Sequence, residues 1–227
     1  MRTHRLGKTG LYVSELCLGT MTYGGKGFWE VIGKLGIDAV AGQLRTALDA
    51  GVNFIDTADV YHEGESERLV GEALRRLGVR RSDLVIATKV RGRVGKGVND
   101  AGLSRGHILD AIDQSLGRLG LDHVDLYQIH GVDPATPLEE TVHALADVVK
   151  AGKARYVGFC NLPAWMAMKA LAIADRAGLP RFVSAQVYYT IASRDIEREL
   201  VPLCKDEGLG ILPWSPLAGG FLTGKIE

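Results

Sequence analysis

The chain has 227 residues, carries 27 basic and 27 acidic side chains, and has a formal net charge of zero. That length supports one sizeable core and is short for two ordinary enzyme domains. Zero net charge removes the usual electrostatic case for a nucleic-acid or anionic-membrane partner.

Taken in chain order, the opening THRLGKTGLYVSE reads as a small hairpin with Lys8–Gly10 as its turn. Short apolar, β-rich runs then recur at Glu15–Leu18, Val52–Ile55, Leu84–Ala87, Val124–Ile129, Arg155–Phe159, Phe182–Val187 and Leu209–Pro213. Helical patterns lie between them, at Ala41–Ala50, Ser66–Leu77, His107–Leu119, Leu138–Lys150, Pro163–Ala177 and Ile196–Glu207. The spacing is that of successive βα units, and strands apolar on both faces indicate a parallel sheet covered by helices. Gly51, Gly78, Gly120, Gly152, Gly178 and Gly208 each follow the last turn of a helical pattern, where a C-terminal cap favours glycine. No Pro/Ser-rich linker divides the chain, so residues 1–227 are expected to form a single domain.

Cys17, Cys160 and Cys204 stand far apart with no CxxC pair. An odd count without metal-ligand spacing argues for reduced thiols in a reducing compartment. The N-terminus lacks the apolar run of a secretory signal, and no stretch approaches the roughly 18 apolar residues of a membrane span. A soluble cytoplasmic protein is the expectation.

A doubly wound dinucleotide fold should show GxGxxG after its first strand, and CLGTMTYGG does not match. GGFLTGKI at 219–226 approaches a phosphate-binding loop, but Ile226 stands where Ser or Thr is required. An α/β fold of the (β/α)8 TIM-barrel type fits the repeats better. Such barrels typically run to about 250 residues and need eight units, so the eighth βα unit is expected to be missing from this chain.

Barrel active sites are built at the C-terminal strand ends. Those positions are Asp56, Lys89 and His130, each closing a buried apolar run, with Tyr61 in the loop after Asp56. Taken singly, Asp56 also reads as a loop or capping acid, Lys89 as a snorkelling strand-end lysine and His130 as a half-buried structural histidine. Taken together they make chemical sense. A lone charge at a buried strand end is costly unless paired, and Lys89 supplies the pair for Asp56. The ammonium should favour the phenolate of Tyr61 and lower its pKa. A neutral His130 can donate a hydrogen bond to a carbonyl oxygen and orient it. The set is a proton donor aimed at an oxygen becoming an alkoxide. No side chain supplies hydride, so a nicotinamide is implied.

The segments DTADVYHEGESE, IATKV, DLYQIHGVD, GFCNLP, AQVYY and WSPLAGGFLTGK, in this order and spacing, resemble the successive motifs of the aldo-keto reductases. The resemblance runs over essentially the whole chain. It implies a (β/α)8 barrel, an extended NADPH cofactor and a small-molecule carbonyl substrate. It carries the catalytic set onto Asp56, Tyr61, Lys89 and His130. It also assigns the nicotinamide carboxamide to Asn161 and Gln186 with Cys160 assisting, ring stacking to Trp214, and the pyrophosphate to Ser215, Leu217 and Gly219. Cys160 stands where the family commonly has Ser, and a thiol is a weaker hydrogen-bond partner; a small buried apolar residue is the competing reading. The family's preference for NADP over NAD rests on a segment beyond the seventh unit, so NAD stays open. The chain is accordingly expected to be part of a longer protein or a degenerate family member.

Tyr23, Trp29 and Tyr188 are candidates for lining a substrate pocket. Trp165 is expected to pack, and His62 to face solvent. A metal-dependent hydrolase would need several His and Asp ligands at strand ends, and only Asp56 and His130 are available, so no metal is expected. The competing function is a cofactor-binding regulatory subunit resembling the potassium-channel β subunits. Substrate identity and oligomeric state stay open.

Overall fold

The computed structural model describes residues 1–224 and all of their side chains except that of Phe28. Lys225 and Ile226, which end the loop resembling a phosphate-binding motif, lie outside the described residues. Two short strands, β1 (Thr3–Arg5) and β2 (Tyr12–Ser14), pair antiparallel as a hairpin. Seven strands follow: β3 (Cys17–Gly19), β4 (Phe54–Asp56), β5 (Val85–Val90), β6 (Val124–Ile129), β7 (Ala154–Cys160), β8 (Phe182–Tyr188) and β9 (Gly210–Trp214). They form one sheet in sequence order, every neighbouring pair parallel. One helix fills each crossover: α1 (Ile37–Asp49), α2 (Glu65–Leu77), α3 (Arg105–Leu119), α4 (Leu138–Lys150), α5 (Ala164–Ala177) and α6 (Leu200–Glu207). This is the strand order of a (β/α)8 barrel, represented by seven of its strands.

Alternation along the strands divides the apolar residues into two layers. Ile86 and Val90 of β5 face the helices, where they join Val70, Leu74, Ile108 and Ile112 in the larger core. Val85 and Ala87 face the other way and pack with Phe54, Leu126 and the hairpin residues Leu6 and Val13. The hairpin therefore plugs the bottom of the sheet's inner face. The next inward residue of β5 is Lys89, so the inner apolar layer gives way to a polar one at the strand tops.

The six helix-following glycines all have positive φ, between 62° and 84°. Gly78, Gly120, Gly178 and Gly208 are the capping residues themselves. Gly51 and Gly152 come one residue later, after Ala50 and Ala151. Helix α6 starts at Leu200, later than the sequence pattern suggests, and Asp195–Glu197 forms a separate 3-10 turn. Pro202 is the cause. It has no N–H and is tolerated only in a helix's first turn, so a helix cannot run unbroken from Ile196 through it.

Candidate active site

Lys89 lies at the centre of the polar layer and is fully buried. Its ammonium donates to Asp56 Oδ2 at 2.5 Å, to the backbone oxygen of Thr57 at 2.9 Å and to the Tyr61 hydroxyl at 3.1 Å. Three protons meet three acceptors, which is the full capacity of an ammonium. Burial works against the charge, but Asp56 and the other electron-rich neighbours outweigh it and raise the Lys89 pKa. The amides of Gln128 and Gln186 each donate to Asp56 Oδ1 at 2.9 Å. The carboxylate that ends β4 thus gathers partners from β5, β6 and β8, and its burial is explained by pairing rather than by capping.

Tyr61 reaches this position on an unusual turn. His62 and Glu63 both adopt left-handed backbone conformations, with φ of 51° and 58°, before Gly64 opens α2. The turn is anchored below by buried hydroxyls: Ser66 donates to the Thr20 backbone oxygen at 2.9 Å and lies 3.1 Å from Thr57 Oγ1. It is anchored at the side by His62, which is fully buried. The His62 ring bonds the Met21 oxygen at 2.9 Å and accepts from the Lys26 N–H at 3.2 Å. The expectation that His62 faces solvent is therefore corrected: its ring satisfies backbone groups of the loop after β3.

The His130 ring stands edge-on to Tyr61, centroids 5.7 Å apart. Burial, then the cations of Lys89 and Arg91, push its pKa down to about 3, so the imidazole is neutral at physiological pH. Tyr61 departs from the sequence expectation. Burial is the largest influence and raises its pKa, although the Lys89 ammonium pulls the other way. The phenol is firmly protonated in the free protein.

These groups open onto a cavity of about 460 Å³ lined by Trp29, Asp56, Tyr61, His130, Asn161, Gln186, Trp214 and Ser215, among others. Its size falls in the range of small-molecule sites. Trp29 lies edge-on to Tyr61 at 5.3 Å between centroids and, like Trp214, lines the cavity. Trp214 stacks at a tilt against Tyr188, 4.8 Å apart, and its indole N–H donates to Asn161 Oδ1 at 2.9 Å. Asn161 and Ser215 both have left-handed backbones, with φ of 53° and 48°. Leu217 and Gly219 are exposed beyond Ser215, outside the cavity lining.

Cys160 is buried and outside the cavity lining, with its thiol 3.9 Å from Gln128 Oε1, and burial raises its pKa to about 12. Tyr23 is a correction. It is 1 % exposed within the helix-side core, its hydroxyl buried without a hydrogen bond, and it does not line the cavity. Trp165 is a second correction: 63 % exposed on α5, it is not a packing residue. Gln128 went unnoticed in the sequence. An amide at the inward position before His130, in an otherwise apolar strand, is the signal that could have found it. Among the described residues no group of His, Cys, Asp and Glu is arranged to hold a metal ion, and no helix is long and apolar enough to cross a membrane.

A model of the aldo/keto reductase family matches residues 15–227, and the chain belongs to that family. Among curated proteins it is 40% identical over 240 residues to the versiconal hemiacetal acetate reductase of Aspergillus parasiticus, covering 98% of this chain and 69% of that protein. It is 41% identical over 229 residues to a probable voltage-gated potassium channel subunit beta of Arabidopsis thaliana, covering 100% of this chain and 67% of that one. It is 39% identical over 228 residues to an uncharacterized oxidoreductase of Bacillus subtilis, covering 97% and 68%. The chain spans about two thirds of the length of these relatives.

Proposed function

We propose that the protein is an NADPH-dependent reductase of aldehydes or ketones, with Tyr61 as the general acid. One observation carries the reading: Lys89 bridges Asp56 and Tyr61 in a buried layer that opens onto a ligand-sized cavity beside a neutral His130. Oxidoreductases among the relatives support the reaction class.

The residues divide the work. Tyr61, protonated in the resting site, donates its proton to the carbonyl oxygen. As that proton leaves, the ammonium of Lys89 at 3.1 Å stabilises the phenolate, so the cation acts on the transition state more than on the resting acid. Asp56 keeps Lys89 charged and fixed, with Gln128 and Gln186 holding the carboxylate in place. His130 offers a neutral N–H to the same carbonyl oxygen without adding charge to the ground state. Trp29 covers one side of the mouth and limits water.

The cavity wall fits a nicotinamide. Asn161 and Gln186 present amide groups, Trp214 presents an indole face, and the left-handed backbone at Ser215 turns the chain beside it. When bound, the reduced cofactor supplies the hydride. Cys160, outside the lining, acts on it through Gln128, and Leu217 and Gly219 extend toward where a pyrophosphate would run. NADPH over NADH follows the family's habit, and a small-molecule carbonyl compound is the expected partner. The chain is read as a single domain carrying seven of the eight barrel units, in a cytoplasmic setting.

Purified protein should oxidise NADPH in the presence of a model aldehyde, followed by loss of the reduced nicotinamide absorbance. Tyr61→Phe should cut that rate by roughly 10² to 10⁴, the contribution of a general acid, with little change in cofactor affinity. Near-normal turnover in the variant would remove Tyr61 from the role. The similarity to a plant channel subunit supports a second reading, a cofactor-binding regulatory partner. On that reading the wild type binds NADPH but turns over no aldehyde.

A further inference from the structure

The loop between β3 and α1 supplies Thr20, Met21, Thr22 and Trp29 to the lining of the cavity that holds Asp56, Tyr61 and His130. The loop is tied where it leaves the sheet, the Thr20 N–H donating to the Asp56 backbone oxygen at 3.0 Å. It is tied again across its neck, where the Gly24 N–H donates to the Leu35 oxygen at 3.1 Å. Asn161, Gln186, Trp214 and Ser215, the candidate cofactor residues, reach the cavity from β7, β8 and β9 and the segments that follow them. The loop after β3 is the part of the lining left to the substrate.

His62, the residue after Tyr61, joins this loop to the Tyr61 turn through backbone groups at two points. The Met21 oxygen can only accept, so His62 Nε2 carries the ring proton and donates it at 2.9 Å. Nδ1 is then the acceptor for the Lys26 N–H at 3.2 Å. Met21 lines the cavity, and Lys26 directly precedes the 3-10 turn Gly27–Val31 that carries Trp29. One buried imidazole therefore holds the loop beside both of its large lining residues. The fit is close: a side-chain carbon on Gly24 would stand 2.6 Å from His62 Cγ. His62 also keeps a left-handed backbone, with φ of 51°, where Gly or Asn would sit with less strain. A turn alone does not call for histidine there, whereas the two ring bonds do. Lys26 and Glu65 add an ion pair at 2.9 Å between the same segments, but it is exposed and contributes little.

We propose that His62 is a positioning residue for the substrate: its ring latches the loop after β3 to the turn that carries Tyr61, so that Met21 and Trp29 form a fixed wall beside the proton donor. The proposal deepens the reductase reading and rests on it for the substrate, though not for the latch.

The latch can be read without turnover. Amide hydrogen exchange over residues 20–35 should quicken roughly 10-fold in His62→Leu, the scale of one or two lost neutral hydrogen bonds, while β5 to β8 keep their rates. His62→Asn suits the left-handed backbone and keeps an acceptor at the Nδ1 position, so it should fold, lose the Met21 bond alone and fall between wild type and His62→Leu. In turnover of benzaldehyde, KM should rise about 5- to 10-fold in His62→Leu, with a smaller loss of kcat and unchanged NADPH affinity. His62→Asn should recover part of that rise. In a Trp29→Ala background His62→Leu should raise KM by less than about 2-fold, because the wall it holds is already gone. Exchange over 20–35 unchanged in both His62 variants, or KM effects of Trp29→Ala and His62→Leu that simply multiply, overturns the proposal. A wild type that reduces no aldehyde, while exchange still responds to His62→Leu, counts against the reductase reading and leaves the latch standing.

Discussion

The carboxyl of Asp59 lies between Asp56 and Tyr61 in sequence, yet it faces away from the catalytic layer. It is 1 % exposed, and neither oxygen makes a well-formed hydrogen bond, although the Val60 N–H is near enough to favour the ion slightly. Glu67 beside it is fully buried and takes the Arg118 guanidinium at 2.6 Å and the Thr88 hydroxyl at 2.5 Å. Arg118 thus bonds Glu67 and reaches Asp59 only through space, as Lys89 does more weakly. Burial first, and the charge of Glu67 second, raise the Asp59 pKa well above normal. The unfolded chain releases this proton near pH 3.9 while the folded chain keeps it, so the acid lowers stability increasingly as pH rises above about 4. Asp59→Asn cannot titrate and should melt higher than the wild type at about pH 7.5, with the gap closing toward about pH 4. A lower Tm for the variant at both values would mean that Asp59 is ionised and paired with Arg118. The sequence showed Asp56, Tyr61, Lys89 and His130 because each sits at a strand end or in the loop beyond it, where position alone predicts direction. It did not reveal Asp59, Gln128 or the burial of His62, because a polar residue's partner across the fold leaves no local pattern.

The helical elements were legible through their periodicity and their glycines, and α4 and β6 begin and end where the pattern places them. Less legible was how closely two helices approach. Gly71 on α2 meets the backbone of α3 so tightly that an added side-chain carbon would stand 2.1 Å from the Leu119 oxygen. A backbone atom cannot swing aside, so Gly71→Ala should destabilise by about 1–3 kcal/mol, the usual range for overpacking. Gly117, inside α3, has nothing within 4 Å of the same added atom. There Ala should stabilise by about 0.4–1 kcal/mol through helix propensity and a less flexible unfolded chain. Urea denaturation of the pair checks both signs, and stabilisation by Gly71→Ala would contradict the close packing of α2 on α3. The same contrast explains why Trp165 was misread: a large aromatic on an amphipathic helix predicts burial, but its place near the start of α5 leaves it on the rim.

Across the whole molecule, Asp56 on β4 is the point where Lys89 of β5, Gln128 of β6 and Gln186 of β8 converge. Breaking a buried ion pair from one side leaves the other charge stranded, at about 3–5 kcal/mol. Asp56→Asn should therefore destabilise the protein by about that much, and adding Lys89→Met should recover a good part of it, as denaturant midpoints will show. A double variant no more stable than the single one would mean that the carboxylate, and not the stranded ammonium, is what the strands require. The barrel-type order of the sheet was readable from the alternation of patterns, because each strand pairs with the next in the chain. That order also bears on how the molecule comes into being. As the chain leaves the ribosome, every new strand finds its neighbour already made, so the sheet can be laid down piece by piece from β3 onward. The carboxylate that centres the site is the exception, since one of its donors, Gln186, arrives 130 residues after Asp56. Most of the scaffold can assemble before the reactive centre has its full set of partners, and the centre becomes competent only once synthesis has passed β8.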